Sequence, residues 1–358
     1  MKKWIWLPAV LLLLIPIPAA WASELPADLA EALPPEASAL TEEARREGDG
    51  LLPGLARLGQ EALAEFRILF RRELRGAAVL LAAAMLCGVF ETLRGEDREA
   101  GSRVVTVAGA LVITASAAGD VRSMMGLGAD SVEQMELFAQ TLLPTLAAAT
   151  ASGGAAVTAT AGQVATVYFT GVLISLIRRL LLPLVSLYAG VSAAAAMLPE
   201  HDLRRLGTGI ARLVKVGLTA LLAVFTTVLT LLRSTGAAVD ATAARLTRSA
   251  ISAAVPVVGG IISDAADSVL AGAMALKSAV GIFGMLGVLS ICLLPFVRLA
   301  VQYLAYKLAA LLASAVGPGP LVELIDALGS AFALVLGMAG SCALLLLISV
   351  ATFVSAVT

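Results

Sequence analysis

Charge is what this chain has least of. Asp, Glu, Lys and Arg make up 14% of its 358 residues, where soluble domains keep roughly 25%. That shortage excludes one large water-soluble globule. The formal net charge is −1, so no global field draws the chain to nucleic acid. Aromatic residues are 5%, too few to mark strong belts at a membrane–water interface. There are three cysteines, Cys87, Cys292 and Cys342, each inside an apolar run and none in CxxC spacing, and one histidine, His201. That inventory implies no zinc or redox chemistry, and the cysteines read as small buried hydrophobes. The chain has no Gly-x-x-x-x-Gly-Lys-Ser/Thr, no His-Glu-x-x-His and no Gly-x-Ser-x-Gly. His201, in Pro199-Glu200-His201-Asp202, reads as a solvated loop histidine. A non-enzymatic protein without cofactor is the expectation, and any ATPase that energises it is another chain.

Apolar residues are present in excess, at 59%, with a mean hydropathy of +0.94. Gly (32) and Ala are abundant, as where helices pack closely in lipid. The fold class that follows is all-α, a polytopic membrane helical bundle. The N-terminus carries Met1-Lys2-Lys3, an apolar stretch from Trp4 to Ile17, and Ala20-Trp21-Ala22 before Ser23. This order is that of a cleavable signal peptide over 1–22, which would leave the mature N-terminus outside the cytoplasm. An exported segment over 23–75 follows. It begins rich in Glu, Ala and Pro, a composition of mobile chain. It continues as an amphipathic helix over 51–74, with Arg67, Arg71, Arg72 and Arg75 near its end. That helix suits a membrane surface, a partner, or the protein's own bundle.

The multi-span membrane domain is residues 76–358. A crossing needs about 20 apolar residues. The candidates are 76–93, 103–119, 157–177, 180–198, 213–232, 279–299, 300–316 and 331–354, which gives about 6–8 spans. Counting from an external N-terminus places Arg94, Arg98 and Arg103 inside, as the positive-inside rule prefers, and Arg178-Arg179 inside as well. The same count strands Arg204, Arg205, Arg212 and Lys215 outside, so one segment is expected to dip in and return.

Two stretches depart from ordinary spans. Residues 128–154 begin amphipathic and run through Pro144 to Gly153-Gly154. Residues 240–272 run through Pro256 to Gly259-Gly260, then to Asp264 and Asp267. Pro removes a helical donor and Gly-Gly frees the backbone, so each predicts a broken or re-entrant segment. Paired breaks of this kind mark transporter-like pathways. Asp264 and Asp267, three apart on one helical face, could line a cation or proton path or pair with Lys277 or Arg298. They could equally sit in a wet interfacial helix, as could Glu323 and Asp326.

The ordered blocks Leu142-Leu143-Pro144-Thr145, Val255-Pro256-Val257-Val258-Gly259-Gly260, Ser263-Asp264-Ala265, Ile291-Cys292-Leu293-Leu294-Pro295 and Tyr306-Lys307-Leu308-Ala309-Ala310 resemble the stage III sporulation protein AE family. The resemblance runs from about residue 128 to the C-terminus and brings no catalytic residues with it. It implies a multi-pass protein of the mother-cell membrane surrounding the forespore, needed for forespore development after engulfment. The implied partners are membrane lipid, ring-forming stage III proteins, a secretion-type ATPase and a forespore membrane protein, with no nucleic acid. Together these would make a channel or secretion complex linking the two cells. Two other readings fit the residues: a self-sufficient secondary transporter or permease, and a structural scaffold for such a complex.

Overall fold

The computed structural model describes residues 51–94, 99–152, 156–198, 202–254 and 259–355. The signal peptide and the N-terminal half of the exported segment lie outside the described residues. Those described are helical, with no strand among them. The elements are α1 (Leu51–Arg94), α2 (Glu99–Ser152), α3 (Ala156–Leu176), a π turn (Ile177–Leu181), α4 (Leu182–Met197), α5 (Leu203–Ala254), α6 (Gly259–Ala313) and α7 (Gly319–Ser355). Among the described residues six stretches are long and apolar enough to cross a membrane: Leu58–Leu93, Arg103–Ser152, Ala159–Met197, Leu203–Leu232, Val280–Ala313 and Gly319–Val354.

Eight apolar segments of sequence thus become six rods, because neighbouring segments join end to end. The segments at 157–177 and 180–198 are one rod that runs on through the π turn. Pro183 explains the turn: it has no N–H for the carbonyl four residues back, and its ring crowds that carbonyl. The backbone widens instead, and the Leu182 N–H donates to the Ile177 carbonyl, five residues back. The segments at 279–299 and 300–316 are likewise one helix, α6, which runs through Pro295. The amphipathic stretch at 51–74 continues into the first apolar run as α1.

Joining 157–177 to 180–198 also removes the charge conflict. The α1/α2, α4/α5 and α6/α7 connections now share one end of the bundle. Gly88 of α1 lies so close to the α6/α7 turn that a Cβ there would overlap the Val316 carbonyl oxygen. Arg204 of α5 pairs with Glu323 of α7. Arg103, Arg204 and Arg205 therefore gather at that end, while Arg178-Arg179 become mid-rod residues.

Helices α6 and α7 form the centre, joined by Gly317-Pro318-Gly319-Pro320. The Gly317 N–H closes α6 on the Ala313 carbonyl at 2.7 Å, and the Leu321 N–H opens α7 on the Pro318 carbonyl at 3.0 Å. Helices α1, α2 and α4 pack around this hairpin, and α5 lies outermost against α3 and α4. Phe138, Phe225 and Phe332 are fully enclosed. Cys292 and Cys342 are buried, with Cys292 Sγ 3.7 Å from Met135 Sδ.

Candidate functional site

The polar side chains of an apolar bundle show where it does more than pack, because each must find a partner or water. Here they concentrate around the C-terminal third of α6. Tyr306 and Lys307 are consecutive and so point apart by about 100°. Tyr306 turns inward, 2% exposed, against Phe332 with ring centroids 5.0 Å apart. Its hydroxyl donates to Asp120 Oδ2 of α2 at 2.8 Å. Glu73 of α1 is near enough to Asp120 for their charges to interact. Two carboxylates and a phenol, from α1, α2 and α6, thus converge inside the bundle.

Lys307 turns the other way, into a cleft of about 830 Å³ between α4, α5, α6 and α7. Its Nζ donates to Asp326 Oδ1 at 2.6 Å, to the Asp326 carbonyl at 3.1 Å and to Ser330 Oγ at 2.9 Å. All three ammonium donors are satisfied, so the cation is fixed rather than free. The Arg204–Glu323 pair guards the same cleft nearer its mouth, and Tyr188 and Ser192 line its α4 wall. Glu323 and Asp326, one helical turn apart, therefore take separate cations from separate helices.

Elsewhere the polar groups hold helices together. Thr166 of α3 and Ser349 of α7 share a buried hydrogen bond of 2.6 Å. The buried Asp240 of α5 accepts the Val157 N–H at 2.9 Å, capping the start of α3. Among the described residues no group of three or more His, Cys, Asp or Glu side chains could hold a metal ion.

The residues singled out by sequence are scattered. Helix α2 passes through Pro144 without interruption. The ring stands on the exposed face, and the Thr141 and Thr145 hydroxyls donate to the Leu137 and Thr141 carbonyls at 3.4 and 2.9 Å. Such local bonding and the packing of Leu142, Leu143 and Leu146 hold the helix across the missing donor. Gly153, Gly154 and Pro256 lie outside the described residues. Gly259 and Gly260 are the first two residues of α6, so the second Pro/Gly-Gly stretch stands where α5 gives way to α6. Asp264 and Asp267 follow within α6, and their side chains, like that of Lys277, are not among those described. Sequence reasoning missed Asp120, Tyr306, Lys307 and Asp240 as partners. A lone Asp inside an apolar run was the available signal for Asp120 and Asp240.

A family model described as stage III sporulation protein AE matches residues 57–357. The stage III sporulation protein AE of Bacillus subtilis (strain 168) is 23% identical over 290 residues, spanning 81% of this chain and 72% of that protein. No solved structure matches the chain. The family match takes in all six long apolar stretches, from residue 57 within α1 to the end of α7. The chain belongs to the stage III sporulation protein AE family.

Proposed function

We propose that this protein is a non-enzymatic membrane component of a channel or secretion complex that links mother cell and forespore and sustains forespore development after engulfment. The observation that carries the proposal is the family match across the whole helical bundle. The protein resides in the mother-cell membrane around the forespore, with the arginine-bearing end of the bundle in the cytoplasm. That orientation obeys the positive-inside rule and agrees with an exported N-terminus. Its partners are ring-forming stage III proteins, a secretion-type ATPase and a protein of the forespore membrane. The cleft end, where Arg204, Glu323, Lys307 and Asp326 meet, is then the face offered to cytoplasmic partners.

Deleting the gene in its host tests this directly. Cells are expected to complete engulfment and then stop, with late forespore gene expression lost and restored by the intact gene. Normal spore formation without the gene defeats the proposal. A secondary transporter is the second reading, favoured by the Asp120–Tyr306 and Lys307–Asp326 groups within the bundle. Solute flux through vesicles holding only this purified chain would support it, and would count against both the multi-protein channel and a passive scaffold.

A further inference from the structure

The outer face of α2 is polar where its neighbours are apolar. Asp130, Glu133, Leu137, Gln140 and Pro144 follow one another at steps of three and four, and all are exposed. Gln134 stands beside them, also exposed. The stripe is about 21 Å long at 1.5 Å per residue. The opposite face, Val132, Met135, Phe138 and Leu142, is buried to 1% exposure or less.

Packing fixes the depth of this stripe. A Cβ on Gly284 would stand 2.8 Å from Leu142, and one on Gly287 would press on the Phe138 ring. Cys292 touches Met135. The stripe therefore runs alongside residues 284–292 of α6, within one of the two most apolar helices in the chain. Helix α7 carries the same level across to α3. Gly281 faces Val354, three residues before the Gly284 level, and Ser349 bonds Thr166. Val164 and Val167 of α3 thus lie at about the depth of Gln140 and Leu137, and both are exposed, at 65% and 51%. At one depth, α3 shows Val164 and Val167 outward and α2 shows Gln140 with Leu137, the α2 carboxylates Glu133 and Asp130 following one to two turns farther along.

We infer that the α2 face from Asp130 to Pro144 is wetted: it forms one wall of a water-filled path at bilayer depth. Lipid cannot solvate these groups, and charged side chains at that depth face a cavity or a partner. Glu133 does pair with Arg178 at 3.1 Å, but both side chains stay about half exposed, at 49% and 47%. An ion pair left open on one side suits water better than hydrocarbon. A convex stripe makes only one wall, so the path closes when other chains of the assembly supply the rest. In this the inference rests on the proposed channel. The charges of this wall are acidic, at Asp130 and at the partly exposed Glu136 beside Gln140, which suits hydrated neutral or cationic solutes rather than anions.

Cysteine accessibility tests the inference in the full chain, in membranes of sporulating cells, after replacing Cys87, Cys292 and Cys342 by alanine. Gln134→Cys, Leu137→Cys and Gln140→Cys are compared with Val164→Cys and Val167→Cys, using a charged, membrane-impermeant methanethiosulfonate. The stripe positions are expected to react at least tenfold faster than the α3 positions. Equal rates overturn the inference in either direction: all slow means lipid or a dry protein contact, and all fast means that this depth lies outside the bilayer. If removing the native cysteines depletes the protein, the same variants are made in the unaltered chain, where Cys292 and Cys342 are buried, and rates are read above that background. Labelling reports water and not development, so its failure stands apart from failure of the sporulation test.

Discussion

The α6–α7 hairpin and the outlying α5 are both long apolar helices, yet they live in different surroundings. In the most apolar 18-residue window of α6 and of α7, 67% of residues are buried inside the protein, against 22% for α5. Helix α5 touches the bundle through a single stripe, with Gly207, Val214, Leu218, Phe225 and Leu229 inward. Leu213, Val216, Val224 and Leu231 face out. Hydropathy alone cannot separate the two cases, because lipid and protein interior are equally apolar. Small residues can: Gly281, Gly284 and Gly287 recur on α6 where α2 and α7 press closest.

That contrast can be broken most severely in the hairpin. Phe332→Ala empties a fully buried site beside Tyr306 and is expected to cost about 3–5 kcal/mol. The measurement is thermal unfolding of the detergent-solubilised protein. Val224→Ala on the outer face of α5 should stay within about 0.5 kcal/mol in the same assay. A comparable loss at both sites would erase the distinction between core and rim. Gly88→Val forces side-chain atoms onto the Val316 carbonyl and is expected to cost about 1–3 kcal/mol by overpacking. Protease sensitivity of the α6/α7 turn should rise with it.

Thr166→Val leaves the Ser349 hydroxyl buried without its partner, at an expected cost of about 1–3 kcal/mol. Adding Ser349→Ala should recover part of that loss, which a double-mutant cycle would read as positive coupling. Arg204→Gln should act more weakly than these core changes. Its pairing with Glu323 joins two exposed side chains, so stability should change by no more than about 1 kcal/mol. A larger fall would mean that the cleft end is more deeply packed than its exposure indicates.

Much of this architecture is legible in the residues. The candidate spans among the described residues lie in helices, and their count of six falls within the range those runs allow. The joining of runs was not legible. Arg178-Arg179 followed by Pro183 looks like a loop, and only the widened backbone and the Glu133 partner show how a helix carries both. The polar site was half legible. Glu323 and Asp326 stand out by spacing, but their cations, Arg204 and Lys307, come from elsewhere in the chain. The Tyr306–Asp120 contact spans 186 residues, a separation over which no local pattern reaches. Pro144 was marked as a break, whereas the packing of Leu142, Leu143 and Leu146 carries helix α2 straight through it.

The π turn at Ile177–Leu181 also sets the phase of everything beyond it. Leu173, Ile177, Leu181 and Val185 are all buried, at successive steps of four. Along an uninterrupted α-helix those three steps would drift by about 120° around the axis, carrying the inner face toward solvent. One wide turn absorbs most of that drift, so Ala189, Ala193 and Ala196 still meet the bundle. The rod thus stores a single extra residue as rotation. Closing the turn to regular α-helix with every residue kept would dial the last four turns away from α7 and from the cleft that Tyr188 helps to line, whereas deleting Leu180 would leave a regular helix still in phase.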